Sequence, residues 1–173
     1  MRTYAGIGSR KLNVDEWEMC SKVGHWLAKQ GWTLHTGAAQ GADQAFAEGA
    51  LKAQGKVSLF VPWPSYEYKW TEIARARGAE RFTLQYWHKE AFASVDQYHP
   101  NPSTLKDTVR KLHARNYLII SECKFVIAFP KPDPQGNLGG TGQGIRIAEG
   151  LGIPVIRQDT PEGQARVLAK IKT

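Results

Sequence analysis

Short apolar runs alternate with longer amphipathic stretches along the chain, and glycine or proline marks most of the boundaries. Arg2 to Ile7 reads as a first strand, and Gly6-Ile7-Gly8-Ser9-Arg10 as the turn leaving it. Trp17, Cys20, Val23 and Leu27 then recur at helical spacing up to Gly31, behind Asn13 and Glu16 in the positions of a capping box. Trp32 to His35 predicts a second strand, Thr36 to Asp43 a glycine-rich turn, and Ala45, Phe46 and Ala50 a helix closed by Gly55. Val57 to Val61 and Lys124 to Phe129 are continuous in apolar character, as strands covered on both faces are, and Pro154 to Ile156 supplies a last short strand. The alternation predicts an α/β chain: a Rossmann-like, doubly wound, mostly parallel sheet flanked by helices, with right-handed crossovers.

Between Pro62 and Thr108 the pattern lapses into a stretch dense in tryptophan, tyrosine and phenylalanine. A short helix near Thr71 to Arg77 and a strand-like Arg81 to Thr83 are expected there, so residues 62–105 form a less regular, aromatic-rich insertion within a single domain, 1–173. Trp63, Tyr66 and Trp70 could stack on bases, although aromatics in long connections more often pack a small core or an oligomer contact. From Ser103 a capped helix is predicted to about Ser121, with Leu112, Leu118 and Ile119 as core positions. Lys106, Arg110, His113 and Tyr117 fall on a separate stripe of that helix, which reads as functional.

Composition narrows the function classes. A chain of 173 residues, 42% hydrophobic and 23% charged, suits one folded domain and gives no sign of disorder. No apolar run approaches the roughly 20 residues that span a bilayer, and the N-terminus shows no secretory pattern, so a cytoplasmic protein without a membrane partner is expected. Cys20 and Cys123 lie far apart in apolar patterns and read as core; His25, His88, His99 and His113 lack metal-ligand spacing, so neither a metal nor a cofactor is expected. His35, at a strand end, reads as a hydrogen-bonded structural residue. A net charge of +7 favours an anionic ligand.

Three glycine-rich segments follow strands and open helices: Gly6 to Arg10, Gly37 to Asp43 and Gly136 to Gly144. Loops at the carboxyl ends of parallel strands converge on a crevice, where free helix N-terminal N–H groups attract an anion and glycine lets the backbone approach phosphate oxygens. The candidate phosphate-binding residues of these loops are therefore Gly8, Ser9, Arg10, Gly37, Ala38, Gln40, Gly41, Asp43, Gly139, Gly140, Thr141 and Gly142, and Arg115, beside Asn116, could pair bidentately with a phosphate. No Gly-Lys-Ser/Thr follows these loops and the first lacks the third glycine of a dinucleotide fingerprint, so neither ATP hydrolysis nor NAD chemistry is indicated.

Gly8-Ser9-Arg10, then Thr36-Gly37-Ala38-Ala39-Gln40-Gly41-Ala42-Asp43, then Arg115-Asn116-Tyr117-Leu118-Ile119, then Gly140-Thr141 running to Ala148, resembles DNA-processing protein A (DprA/Smf) in motif order. That family has a G-S/A-R turn, an S-G-x-A-x-G-I-D loop, an R-N-R-x-I segment and an S-G-S loop. The resemblance covers most of the chain outside 62–105 and implies a Rossmann-like fold of the SMF/DprA–LOG (SLOG) superfamily with a nucleotide or single-stranded DNA partner. It also implies phosphate contacts from Ser9, Arg10, Gly37, Gln40, Gly41 and Arg115. Tyr117 stands where the family has its second arginine, and a C-terminal winged-helix module is not expected. The LOG phosphoribohydrolases offer an enzymatic alternative, N-glycosidic hydrolysis, matched by Gly139-Gly140-Thr141-Gly142 and Arg115. The two positions of that family's glutamates read Ile145 and Arg146, so Glu149 and Asp43 become the candidate catalytic carboxylates, with Glu48 and Glu122 behind them. A third alternative is a sensor or sequestering protein for a signalling nucleotide; a homo-oligomer is left open.

Overall fold

The computed structural model describes residues 1–172. Six strands form one sheet, every adjacent pair parallel: β1 (Thr3–Gly8), β2 (Thr33–Thr36), β3 (Val57–Val61), β4 (Glu80–Thr83), β5 (Val126–Phe129) and β6 (Val155–Arg157). Their spatial order is β4-β3-β2-β1-β5-β6. Seven α-helices accompany them: α1 (Val14–Lys29), α2 (Ala42–Lys52), α3 (Tyr68–Ala76), α4 (Lys89–Tyr98), α5 (Asp107–Ile120), α6 (Gly139–Gly150) and α7 (Pro161–Lys172).

The Rossmann-like α/β architecture is as the apolar pattern predicts. All four residues of β5 and five of the six in β1 are buried, which places these strands mid-sheet with helices on both faces. One face is closed by α1 and α2 over Tyr4, Leu27, Leu34, Phe46, Leu59 and Ile127. The other is closed by α5 and α6 over Ala5, Ile7, Ile119, Ile120, Val126, Ile145 and Ile147. The α1 capping box forms with both bonds at 2.9 Å, Glu16 N–H to Asn13 Oδ1 and Asn13 N–H to Glu16 Oε1.

The stretch 62–105 is more regular than its sequence suggests. It contains α3, β4 and α4, and β4 joins the main sheet in register, Ser58 beside Glu80 through Val61 beside Thr83. As an edge strand β4 is covered on one side only, so its residues alternate between half-buried and exposed and lack the apolar run that identifies the inner strands. Helix α5 begins at Asp107; Ser103 instead lies in a 3₁₀ turn, Pro102–Thr104. Helix α7 has no counterpart in the sequence reading, because only Gly163 and Val167 of its residues are buried.

Strands β1 to β4 step outward in one direction, while β5 returns to the opposite side of β1. The reversal between β1 and β5 is a topological switch point, where the connections leaving the two strands separate and open a crevice.

Candidate functional site

A crevice of about 960 Å³ opens at that switch point. Its floor and walls come from the β1–α1 loop (Gly8, Ser9, Arg10, Lys11), the start of α2 (Asp43), the inner face of α5 (His113, Arg115, Asn116) and the N-terminus of α6 (Gly139, Gly140, Thr141). Five permanent cations line it, Arg10, Lys11, Arg115, Lys131 and Arg146, against two carboxylates, Asp43 and Asp133.

The first two glycine loops are bound to each other. Ser9 donates its N–H to Phe129 O at 2.9 Å, and its own carbonyl accepts from Ala42 N–H at 3.0 Å. Gly41 has φ +88°, and a Cβ there would stand 2.4 Å from Ser9 O; only glycine satisfies both the backbone angle and the approach. At Gly8 a Cβ would lie 2.6 Å from both Ala42 Cβ and Phe129 O.

Behind these loops sits a buried charge pair region. Asp43 is 7% exposed and Arg115 is 5% exposed. Asp43 Oδ2 accepts from Ala39 N–H at 3.3 Å, and burial pushes its carboxyl up to about 6 against the opposing pull of Arg115 and that hydrogen bond. Arg115 Nη1 donates to Phe60 O at 3.0 Å and Nε to Asn116 Oδ1 at 3.3 Å. Its guanidinium also faces the Tyr66 ring at 5.4 Å, and Tyr66 Oη is reached by Arg10 Nη2 at 3.3 Å. Tyr66, on the β3–α3 connection, therefore braces both arginines. Asn116 Nδ2 donates to Gly140 O at 3.2 Å, fixing the α6 N-terminus to α5.

The sequence-derived residues divide accordingly. Gly8, Ser9, Arg10, Asp43, Arg115, Asn116, Gly139, Gly140 and Thr141 all line the crevice. Gly37 and Ala38 are buried outside its lining, where Gly37 leaves room for Asp43 and Arg115. Gln40 lines a smaller hollow of about 210 Å³ with Arg10, Tyr66 and Glu67. Gly41 serves the loop-to-loop contact. The segment Gly139 to Gly144 is the start of α6 and not an extended loop: Gly142 is buried, and a Cβ on it would meet Leu138 Cβ at 2.9 Å.

Among the carboxylates, Glu149 is exposed in the last turn of α6, at the far end of that helix from the crevice, so the catalytic role assigned to it has no geometric basis. Glu48 pairs with Arg77 at 2.7 Å and Glu122 is exposed; neither lines the crevice. The α5 stripe separates too: Arg110 is held by Asp96 at 3.0 Å and Tyr117 donates to Glu90 at 3.2 Å, leaving His113 as the member that faces the crevice. Leu112 lines the crevice instead of the core. Trp70 packs against the main core, whereas Trp63 meets Tyr66 edge-on at 5.6 Å. His35 Nδ1 lies 3.3 Å from Ile119 O.

Lys11, Lys131, His99 and Arg146 line the crevice without having been singled out for it. Arg146 had a readable signal, since it shares a helix face with Gly139 and Gly142 at i, i+3 and i+7. His99 had none, since it follows α4 in the stretch read as irregular. Among the described residues no group of histidine, cysteine, aspartate and glutamate could hold a metal ion, and no helix is long and apolar enough to cross a membrane.

The model of the SLOG cluster4 family matches residues 3–75, which hold β1 to β3 and the first two glycine loops. The fold is also that of solved DprA proteins. The Helicobacter pylori DNA processing protein A, a structure describing a unique single-stranded DNA binding mode, is similar with a TM-score of 0.59 at 20% identity over 97% of this chain and 72% of that one. The Streptococcus pneumoniae DprA gives 0.61 at 18% identity over 98% of this chain and 56% of that one. The chain therefore has a DprA-like fold. No curated protein matches it in sequence. The chain thus spans little more than half the length of the S. pneumoniae protein, and the part they share is the Rossmann-like unit.

Proposed function

We propose that the crevice binds the phosphate of a nucleotide or of a single-stranded nucleic acid. The observation that carries this reading is the convergence, on one 960 Å³ hollow, of the β1–α1 glycine loop, the α6 N-terminus and five cations against two carboxylates. Helix N-terminal N–H groups and guanidinium forks are matched to phosphate oxygens. Arg115 is held rigidly by Phe60 O, Asn116 and Tyr66, so little ordering is left to be done when an anion arrives. The DNA-binding mode described for the H. pylori protein supports a polymeric ligand here.

The test is a titration of labelled single-stranded oligonucleotide and of mono- and dinucleotides, followed by anisotropy and thermal shift across a salt series. Binding is expected, with affinity for the oligonucleotide falling steeply as salt rises. Arg10→Ala and Arg115→Met are each expected to weaken binding about tenfold or more, as the loss of a charge-assisted hydrogen bond does. Absence of binding to every probe at low salt would overturn the reading.

One observation favours a second reading, N-glycosidic hydrolysis: Asp43 is a crevice carboxyl with its pKa pushed up to about 6, poised to exchange a proton near neutrality. It predicts free base among the products of a nucleoside monophosphate incubation, abolished by Asp43→Asn; no base release after prolonged incubation rejects it.

A further inference from the structure

Side chains on an α-helix lean toward its N-terminus, so Arg146, four residues after Gly142, folds its head back over the first turn of α6. Its Nη1 stands 3.4 Å from where a Cβ on Gly142 would be, and the guanidinium lines the crevice there. The same turn presents the N–H groups of Gly139, Gly140 and Thr141, because the ladder of α6 begins with Gly142 N–H donating to Leu138 O at 3.2 Å. The positive end of a helix is an unfavourable place for a cation. Arg146 nonetheless has no ion pair among the described residues, and Glu149, in the last turn of α6, is the acid whose charge reaches it.

The bonds that Arg146 does make aim it. Nε donates to Tyr98 O at 3.0 Å, and Nε and Nη2 share Gln143 Oε1 at 3.2 and 2.8 Å. One edge of the guanidinium is thereby used, and the Nη1–Nη2 edge, which matches two oxygens of a phosphate, is left over. Gln143 is completely buried, and with its oxygen given to Arg146 its amide Nε2 has no partner. Buried polar groups are rarely orphaned, and a glutamate of the same shape would have no donor to orphan. It would also neutralise the arginine; the amide holds the guanidinium and leaves its charge uncompensated. His113, on α5, is an independent sign of a missing partner. It is 8% exposed and lines the crevice, yet its Nδ1 has no hydrogen-bond partner. The groups whose charge bears on it are His99, Arg146 and Arg115, with no carboxylate among them.

We infer that Arg146, aimed by Gln143, supplies the guanidinium fork to the phosphate held at the N-terminus of α6, with the His113 ring beside it. This rests on the phosphate-binding reading above and adds which side chain grips the phosphate and which one positions it. The helix turn, the fork and the imidazole come from α6 and α5, so one oxyanion meets backbone N–H groups, a cation and a ring nitrogen together. Gln143 itself stays buried and acts on the ligand only through Arg146.

The probes are thymidine 5′-monophosphate and a short labelled oligothymidylate, titrated at fixed low salt. Arg146→Met is expected to weaken binding about tenfold or more, and Arg146→Lys, which keeps the charge but not the fork, to recover part of the loss. Gln143→Glu supplies the missing carboxylate and is expected to lose about as much affinity as Arg146→Met, while the neutral Gln143→Met, similar in length, loses less. Equal losses in the two Gln143 variants would reject the positioning role, since packing alone does not distinguish them by charge. Nitrogen-15 NMR of the arginine side chains gives a readout on the wild-type protein: the Arg146 signals, identified by their absence in Arg146→Lys, are expected to shift as the monophosphate is added. Undiminished affinity in Arg146→Met, or unmoved Arg146 signals in a protein that binds the nucleotide, overturns the inference and leaves the phosphate reading intact. Failure of the wild-type protein to bind either probe overturns that reading itself.

Discussion

Only a hydrogen fits between the Gly37 Cα and the Asp43 carboxylate: a Cβ at position 37 would stand 2.5 Å from Asp43 Oδ2, closer than any unstrained contact. The same atom would lie 2.9 Å from Arg115 Nη1, so this glycine is the gap into which the buried acid and the buried base are both fitted. Gly37 lies outside the crevice lining, and its role is to let Asp43 and Arg115, which line the crevice, keep their places.

Gly37→Ala is accordingly expected to destabilise the fold by about 1 to 3 kcal/mol, the cost of forcing one methyl into a packed site. It should also weaken phosphate binding, because Arg115 must move to admit the methyl. Thermal melting and nucleotide titration of the variant check both; a melting temperature equal to wild type would show that the gap relaxes without cost.

The inner fold was legible for a definite reason. Val126–Phe129 is covered on both faces, so burial leaves an unbroken apolar run in the sequence, Val57–Val61 departs from such a run only at the half-buried Ser58, and Asn13 and Glu16 satisfy each other locally. What stayed hidden depends on partners distant in sequence. Glu80–Thr83 pairs with β3 through the backbone and the stacked rings of Phe60 and Phe82, and shows only an edge strand's alternation. The glycines of α6 suggested an extended loop because glycine is a poor helix former. In the structure Gly142 and Gly144 are small because Leu138 and Ile7 press on them, at 2.9 and 2.8 Å from where a Cβ would be. Arg10 and Arg115 could be picked out from their neighbours in sequence, but the pairing of Arg146 with His99 and His113 requires α4, α5 and α6 to be packed together.

Two buried groups of opposite kind set the pH dependence of stability. Burial and the nearby cations lower His113 to about 4 from 6.5, so the folded state prefers the neutral ring. Its contribution is fully present above pH 6.5 and is lost as pH falls toward 4. Asp43, raised from 3.8 to about 6, does the reverse: its contribution is present below about pH 4 and is lost as pH rises through 6. Between pH 4 and 6 the two oppose each other, with His35 and His99, also lowered by burial, acting in the same direction as His113. His113→Asn removes one group from this balance and should gain stability relative to wild type on acidification from pH 6.5 to 4. Melting temperatures of both proteins across that range decide it; parallel curves would mean that His113 is not held neutral.

Asp43 should be visible directly. Carbon-13 NMR of labelled aspartate is expected to show one carboxyl titrating near pH 6, well above the others, and assigned by its loss in Asp43→Asn. Arg115 is the largest influence opposing that rise, so Arg115→Met should move the titration higher still. An Asp43 carboxyl titrating near 4 in the wild-type protein would place it in solvent and remove the basis for proton exchange in the crevice.

Gly140 separates binding from folding. It is exposed in the first turn of α6, a Cβ on it meets nothing within 4 Å, and its carbonyl is held by Asn116 Nδ2 at 3.2 Å. A side chain there projects into open space, so Gly140→Leu should leave stability within about 0.5 kcal/mol of wild type, as surface substitutions usually do. The crevice is less forgiving, because a phosphate approaching the free N–H groups of this turn needs the volume a leucine would fill. The expected outcome is an unchanged melting temperature with nucleotide and oligonucleotide binding lost, measured on the same preparation. Undiminished affinity in Gly140→Leu would move the bound phosphate away from α6 and toward the Arg10 loop alone.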